Sequence, residues 1–333
     1  MKFPWKSVIG AVGVTAAIAW SVHGVRFKEV LSIVHNMNGW LLMTVFCLTN
    51  LNLLVRARTW KSVIDPIKPI TLGHAFESYI IGVFSNLFLP FKLGDMMQVY
   101  TLGRNEDISK ISGISAMIIT RIFEITSLIL LMSVIAALFS FPLLLKRRTV
   151  IIGAIILFLI GMLFVSFNKR EEILAWIERV LSRFSAGTAQ RAGKYFELFL
   201  EGTTAIHHLP DIVKILGFSL ISWVVQICMV MLTAWALEIK INIIASGVVL
   251  LAINLGLTLP TPGNIGTFQV FSIIALSWFS VSKSKALTFS VIFQVIQGVP
   301  VLIGGGLFLL NQIFKTKQKN FQAPHYTGSV KAQ

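Results

Sequence analysis

Residues 255–271 read LGLTLPTPGNIGTFQVF, within one of the most apolar regions of the chain. Pro260, Pro262, Gly263 and Gly266 fall inside seven residues, where a membrane helix has to run unbroken. Proline removes a backbone donor and clashes with the preceding turn, and glycine lowers helix preference, so the helix stops here. Free N–H and C=O groups cannot face lipid; a break at membrane depth survives only against protein or a watery cavity. Two readings stand: an interrupted, re-entrant membrane segment, or a surface loop between two spans. The apolar residues that follow, 265–279, favour re-entry.

The rest of the chain supports a membrane setting. Its 333 residues are 55% hydrophobic and only 13% charged, with a mean hydropathy of +0.80, whereas soluble domains carry about 25% charged residues. The expected fold is an all-α polytopic membrane protein. Apolar runs long enough to cross a bilayer occur at 8–22, 40–55, 71–89, 111–138, 150–167, 212–237, 241–259 and 286–314, which gives about eight transmembrane helices. Residues 1–319 are expected to form one integral membrane domain. The N-terminal run resembles a signal peptide, with Lys2 and Lys6 ahead of it and Ala17-Ile18-Ala19 at its end, but is taken as the first span. Cys47 and Cys228 lie inside apolar runs and act as small hydrophobes. The six histidines show no metal-ligand spacing, so no metal or cofactor is expected.

The formal net charge is +15. In a soluble protein this would suggest nucleic acid; beside apolar spans it suggests anionic head groups and fixed topology, and no nucleic-acid partner. Setting the N-terminus inside places Arg56, Arg58, Lys61, Lys146, Arg147, Arg148, Lys315 and Lys317 on the cytoplasmic side of a cell membrane, with both termini there. Residues 171–184, EEILAWIERVLSRF, repeat apolar side chains at helical spacing. They read as a surface amphipathic helix over about 171–200 or, equally, as an extramembrane helix packed on the bundle. The tail 320–333 is polar, without periodicity, and reads as disordered.

The broken stretch has an upstream counterpart. Residues 86–100, NLFLPFKLGDMMQVY, hold Asn, Pro, Gly and Gln followed by Val and an aromatic, and residues 254–271 hold the same types in the same order. Ile108-Ser109-Lys110 precedes Arg121 as Val281-Ser282-Lys283 precedes Gln294, with the same spacing. This predicts an internal repeat over about 71–138 and 241–314, the arrangement transporter folds use with interrupted helices. The new helix ends near Gly94 and Gly263 would offer amide donors to an anion.

Charges inside apolar runs cost about 2.5 to 3.5 kcal/mol each on insertion scales and so face the bundle interior. Arg121 and Glu124 share one helix face; they are either a structural ion pair or a headgroup contact with Glu124 orienting Arg121. Lys92 and Asp95 lie in the first break, and Lys92 there is a natural phosphate ligand. Asn264, Gln269, Gln294 and Gln297 add neutral hydrogen-bonding groups to the second half; glutamines in spans are more often interhelical glue.

Together these motifs resemble the lysylphosphatidylglycerol synthase transmembrane-domain family, flippase-like membrane proteins. Residues 86–100 are similar to its Asn-x-x-x-Pro-x-x-x-Gly-Asp signature through Asn86, Pro90, Gly94 and Asp95. Arg121 follows at a similar distance, LPTPGNIGTFQ is similar to its Pro-x-Pro-Gly-Gly-x-Gly segment, and RARTW at 56–60 to its Arg and Trp pattern. The resemblance covers roughly residues 5–314. Asn264, Gln269 and Gln294 depart from the glycine, acidic residue and Arg that the pattern often carries. The resemblance implies an eight-span unit with broken helices that moves lipids between leaflets, here without the soluble aminoacyl-transfer domain of two-part members. The expected function is translocation of an anionic phospholipid or lipid-linked phosphate rather than enzymatic turnover. Asn86, Pro90, Lys92, Gly94, Asp95, Arg121 and Glu124 would form the substrate site, with Pro262, Gly263, Asn264, Gly266 and Gln269. The alternatives are an accessory subunit serving a synthase or glycosyltransferase partner, and a membrane-embedded lipid-phosphate transferase.

Overall fold

The computed structural model describes residues 19–138, 209–259 and 261–322, with a few isolated positions elsewhere. The expected spans at 8–22 and 150–167 fall largely or wholly outside these residues, as do most of the amphipathic stretch 171–200 and of the tail. Nine α-helices and two 3-10 turns, and no strand, lie among the described residues. In chain order they are α1 (Phe27–His35), α2 (Gly39–Ile64), α3 (Leu72–Phe88), a turn at Pro90–Lys92, α4 (Gly94–Glu106), α5 (Lys110–Leu138), α6 (Leu209–Ala236), α7 (Ile243–Gly256), a turn at Pro262–Asn264, α8 (Thr267–Ser277) and α9 (Lys283–Gln322).

Polar residues set several helix starts. The side chains of Asn38, Thr71 and Asn242 accept from the backbone N–H of Leu41, His74 and Ala245 at 3.2, 3.2 and 2.9 Å, satisfying donors that have no intrahelical partner. Among the described residues, four helices are long and apolar enough to cross a membrane: Gly39–Ile64, Lys110–Val134, Leu209–Ala236 and Lys283–Gln312. They make this a multi-pass membrane protein. The expected spans at 71–89 and 241–259 are shorter: α3 has 17 residues and α7 has 14. At 1.5 Å per residue these reach about 26 and 21 Å, less than a hydrocarbon core of about 30 Å.

Neither short helix continues onward; each reverses. Asn105 Nδ2 of α4 donates to Glu77 Oε2 of α3 at 3.2 Å, and Gly94 N donates to Asn86 Oδ1 at 2.8 Å, so α3 and α4 run antiparallel with the turn Pro90–Lys92 at the tip. Their backbones nearly touch: a Cβ on Gly94 would lie 2.2 Å from the Gly82 carbonyl oxygen. In the same way α7 and α8 pack against each other on either side of Pro262–Asn264, with Gly256 under the Phe271 ring.

The two hairpins correspond residue by residue near their tips. Each turn carries left-handed backbone at its middle and last residues, Phe91 and Lys92 in one, Gly263 and Asn264 in the other. Each is followed two residues later by a glycine, Gly94 or Gly266, at the start of the next helix. Downstream, Asp107 and Ser280 are both left-handed, and Ser109 and Ser282 both accept from the amide three residues on, opening α5 at Lys110 and α9 at Lys283. One part of the sequence match does not hold. Asn254 donates to the Leu250 carbonyl of its own helix at 2.8 Å, so it does not do for the second tip what Asn86 does for the first.

The longest interface joins α2 to α6, where Ser222 Oγ donates to Asn52 Oδ1 at 2.8 Å in a buried seam. The largest apolar core runs through α6, α7, α8 and α9 around Phe268, Phe289 and Phe293; a second surrounds Trp60, Ile64, Ile119 and Phe123. The hairpin tips meet each other against this frame. The two turns are in contact, and a Cβ on Gly263 would sit 3.0 Å from the Leu87 carbonyl of α3.

Candidate functional site

A chain of charges starts at the first tip. Asp95, in the first turn of α4, accepts from Asn86 Nδ2 at 2.9 Å and from Arg121 at 2.8 Å. Arg121 donates from its other terminal nitrogen to Glu124 Oε2 at 2.7 Å, and Glu124 Oε1 accepts from Arg56 at 2.9 Å. The Arg56 guanidinium lies 5.3 Å from the ring centre of Trp223, whose indole N–H donates to the Glu124 carbonyl at 2.9 Å. Five helices are tied in this way: α3 by Asn86, α4 by Asp95, α5 by Arg121 and Glu124, α2 by Arg56 and α6 by Trp223.

Burial differs along the chain. The side chains of Asp95, Glu124 and Arg56 are largely enclosed, whereas Arg121 is 41% exposed. Lys92 is exposed, lies within electrostatic reach of Arg121, Asp95 and Glu124, and forms no ion pair or hydrogen bond among the described residues. Three cations thus face two carboxylates, which leaves one positive charge without a counter-ion at the open side. Phe88, Phe91 and Leu93 are exposed around the same tip.

The second tip is neutral. Gln269 Oε1 accepts from Gly266 N at 2.7 Å, Gln269 Nε2 donates to Gln294 Oε1 at 2.6 Å, and Gln294 Nε2 donates to the Gly263 carbonyl at 2.9 Å. Gln294 of α9 thus reaches back to its hairpin as Arg121 of α5 reaches back to Asp95, with amides in place of charges.

Of the twelve residues expected at a site, Asn86, Gly94, Asp95, Arg121 and Glu124 form one bonded network. Pro90 and Lys92 make its turn, and Pro262, Gly263 and Asn264 make the turn that touches it. Gly266 and Gln269 belong to the separate amide cluster. Of the amides expected at the helix ends, two are engaged within the chain: Asn86 occupies the Gly94 N–H, and Gln269 occupies that of Gly266. Two members were not expected: Arg56, which the sequence suggests lies just past a span end, and Trp223. Arg56 instead sits inside α2, which runs on to Ile64; RARTW is the signal that points to it. Among the described residues no group of three or more His, Cys, Asp or Glu converges.

Asn86→Ala removes the acceptor for Gly94 N–H and one donor to Asp95 together. Leaving buried groups unpaired costs about 1 to 3 kcal/mol each, so the variant is expected to melt earlier in detergent, and an unchanged melting temperature would exclude this role for Asn86.

Comparison with curated proteins and with solved structures finds no match. Residues 7–305 match the family described as Lysylphosphatidylglycerol synthase TM region, and the chain, a multi-pass membrane protein with paired helical hairpins, belongs to that family.

Proposed function

We propose that this protein moves an anionic lipid, a phospholipid or a lipid-linked phosphate, between the leaflets of a cell membrane. The observation that carries this reading is the excess cation at the point where two broken hairpins meet, with Lys92 and Arg121 open and apolar side chains around them. A headgroup phosphate would bind these cations, and its acyl chains would lie along the exposed apolar tip. Buried charge is costly at membrane depth and tends to mark substrate pathways. Two hairpins that abut at their tips offer two bodies that can rock about a central site. Membership of a family associated with lipid metabolism or transport agrees with this. The basic side of the sequence would face the cytoplasm, with both termini there.

The test is reconstitution of the purified chain in liposomes containing fluorescent phosphatidylglycerol, with dithionite quenching of the outer leaflet. The wild type is expected to exchange the lipid, and Arg121→Ala to slow exchange about tenfold or more, the effect of losing one desolvated charge contact. Equal rates for both proteins, or no exchange by either, would end the translocase reading. Chemical conversion of the lipid would favour a transferase.

A further inference from the structure

We propose that Asp95 is the resting counter-ion of a phosphate site built by Arg121 and Lys92, and that an arriving phosphate binds by displacing Asp95 from the Arg121 guanidinium. This rests on the lipid-anion reading above. A carboxylate and a phosphate both present paired oxygens to a guanidinium, so one occupant of that edge excludes the other.

The geometry suits exchange. Asp95 uses one oxygen for Arg121 and the other for Asn86 Nδ2 at 2.9 Å, and Asn86 is itself fixed by Gly94 N at 2.8 Å. The carboxylate therefore stays anchored and partnered on the α3–α4 tip when Arg121 leaves it. Arg121 also keeps a partner, because its other terminal nitrogen donates to Glu124 at 2.7 Å. Glu124 is not exchangeable in this way: each of its oxygens holds a guanidinium, Arg56 on one and Arg121 on the other. Within this network only the Arg121–Asp95 contact combines an exposed cation, an acid with an alternative partner, and an unbonded cation beside it. That cation is Lys92, which a phosphate at Arg121 would engage and which Asp95 does not bond. The exchange would also release the α4 tip from α5, making headgroup binding and hairpin release a single event.

The test is titration calorimetry of the full chain in neutral detergent. The probes are dihexanoyl phosphatidylglycerol, the matching phosphatidylcholine and inorganic phosphate. Asp95→Asn and Asp95→Ser are expected to bind the phosphatidylglycerol about tenfold more tightly than wild type, Arg121→Ala to lose binding, and Lys92→Gln to weaken it about tenfold. Phosphatidylcholine is expected to bind no protein measurably. Competition by inorganic phosphate would assign recognition to the phosphate alone, and its failure to compete would assign it to the whole lipid; both fit the proposal.

Affinity unchanged or lowered in both Asp95 variants, with melting unchanged, overturns the counter-ion role and leaves the lipid-anion reading standing. Binding by none of the proteins overturns both. Should the Asp95 variants melt early, Lys92→Gln decides, since Lys92 is exposed and bonds nothing among the described residues: unchanged affinity there overturns the proposed site.

Discussion

Glu124→Ala is expected to destabilise the protein by about 3 to 5 kcal/mol, the cost of breaking an enclosed ion pair from one side. Among the described residues its carboxylate is the only acid that bonds both Arg56 and Arg121, at 2.9 and 2.7 Å. Without it Arg121 keeps Asp95, but Arg56 is left enclosed with the neutral Tyr79 hydroxyl and the Trp223 face and no carboxylate, and the two guanidiniums repel. The measurement is thermal unfolding in detergent, where the variant should melt well below wild type. The double variant Arg56→Met with Glu124→Leu removes both charges and supplies apolar volume, and should regain most of the loss. A Glu124→Ala protein that melts with wild type would show that the ion chain does not hold the helices together.

Gly94→Ala is the second large effect expected, about 3 kcal/mol or more, at the severe end of overpacking. The added Cβ would lie 2.2 Å from the Gly82 carbonyl oxygen and 2.5 Å from the Asn86 nitrogen. Both are backbone atoms of α3, so no side-chain rotation relieves the clash, and the hairpin has to open where Asn86 and Asp95 meet. Early melting and loss of a monodisperse elution peak would both register this. Gly298→Ala and Gly306→Ala provide controls, since a Cβ there meets nothing within 4 Å. If Gly94→Ala behaves like these controls, the close approach of α3 and α4 is wrong.

Some of this was legible in the sequence for simple reasons. Long apolar runs mark α5, α6 and α9 because a helix exposed to lipid has to be apolar over its length. Proline and glycine mark both tips because they act on the local backbone. Arg121 and Glu124, three residues apart, are paired by helix geometry alone. Other features depend on contacts distant in sequence. Arg56 reads as the end of a span because charges usually lie there, and only its bond to Glu124, 68 residues away, explains a helix that continues past it. The reversal at Pro90 was hidden because a broken span and a hairpin share one composition. Asn254 matched Asn86 in order but not in register, and one helical turn decides whether an amide reaches the neighbouring chain or its own carbonyl. The engaged amides of Gly94 and Gly266 were equally out of reach, because a sequence shows a helix end but not what already occupies it.

Helix α9 has a mechanical consequence. Its 40 residues extend about 60 Å, roughly twice the hydrocarbon thickness, and it grips both hairpins. Gln294 holds the second tip at Gly263, while Gly305 rides against Phe84 of α3 and Gln312 donates to Glu77 at 3.0 Å. Pro300 lies between these two grips and removes one rung of the hydrogen-bond ladder. The helix is thus a lever with a joint at its middle: tilting one hairpin either bends it at Pro300 or drags the other hairpin along.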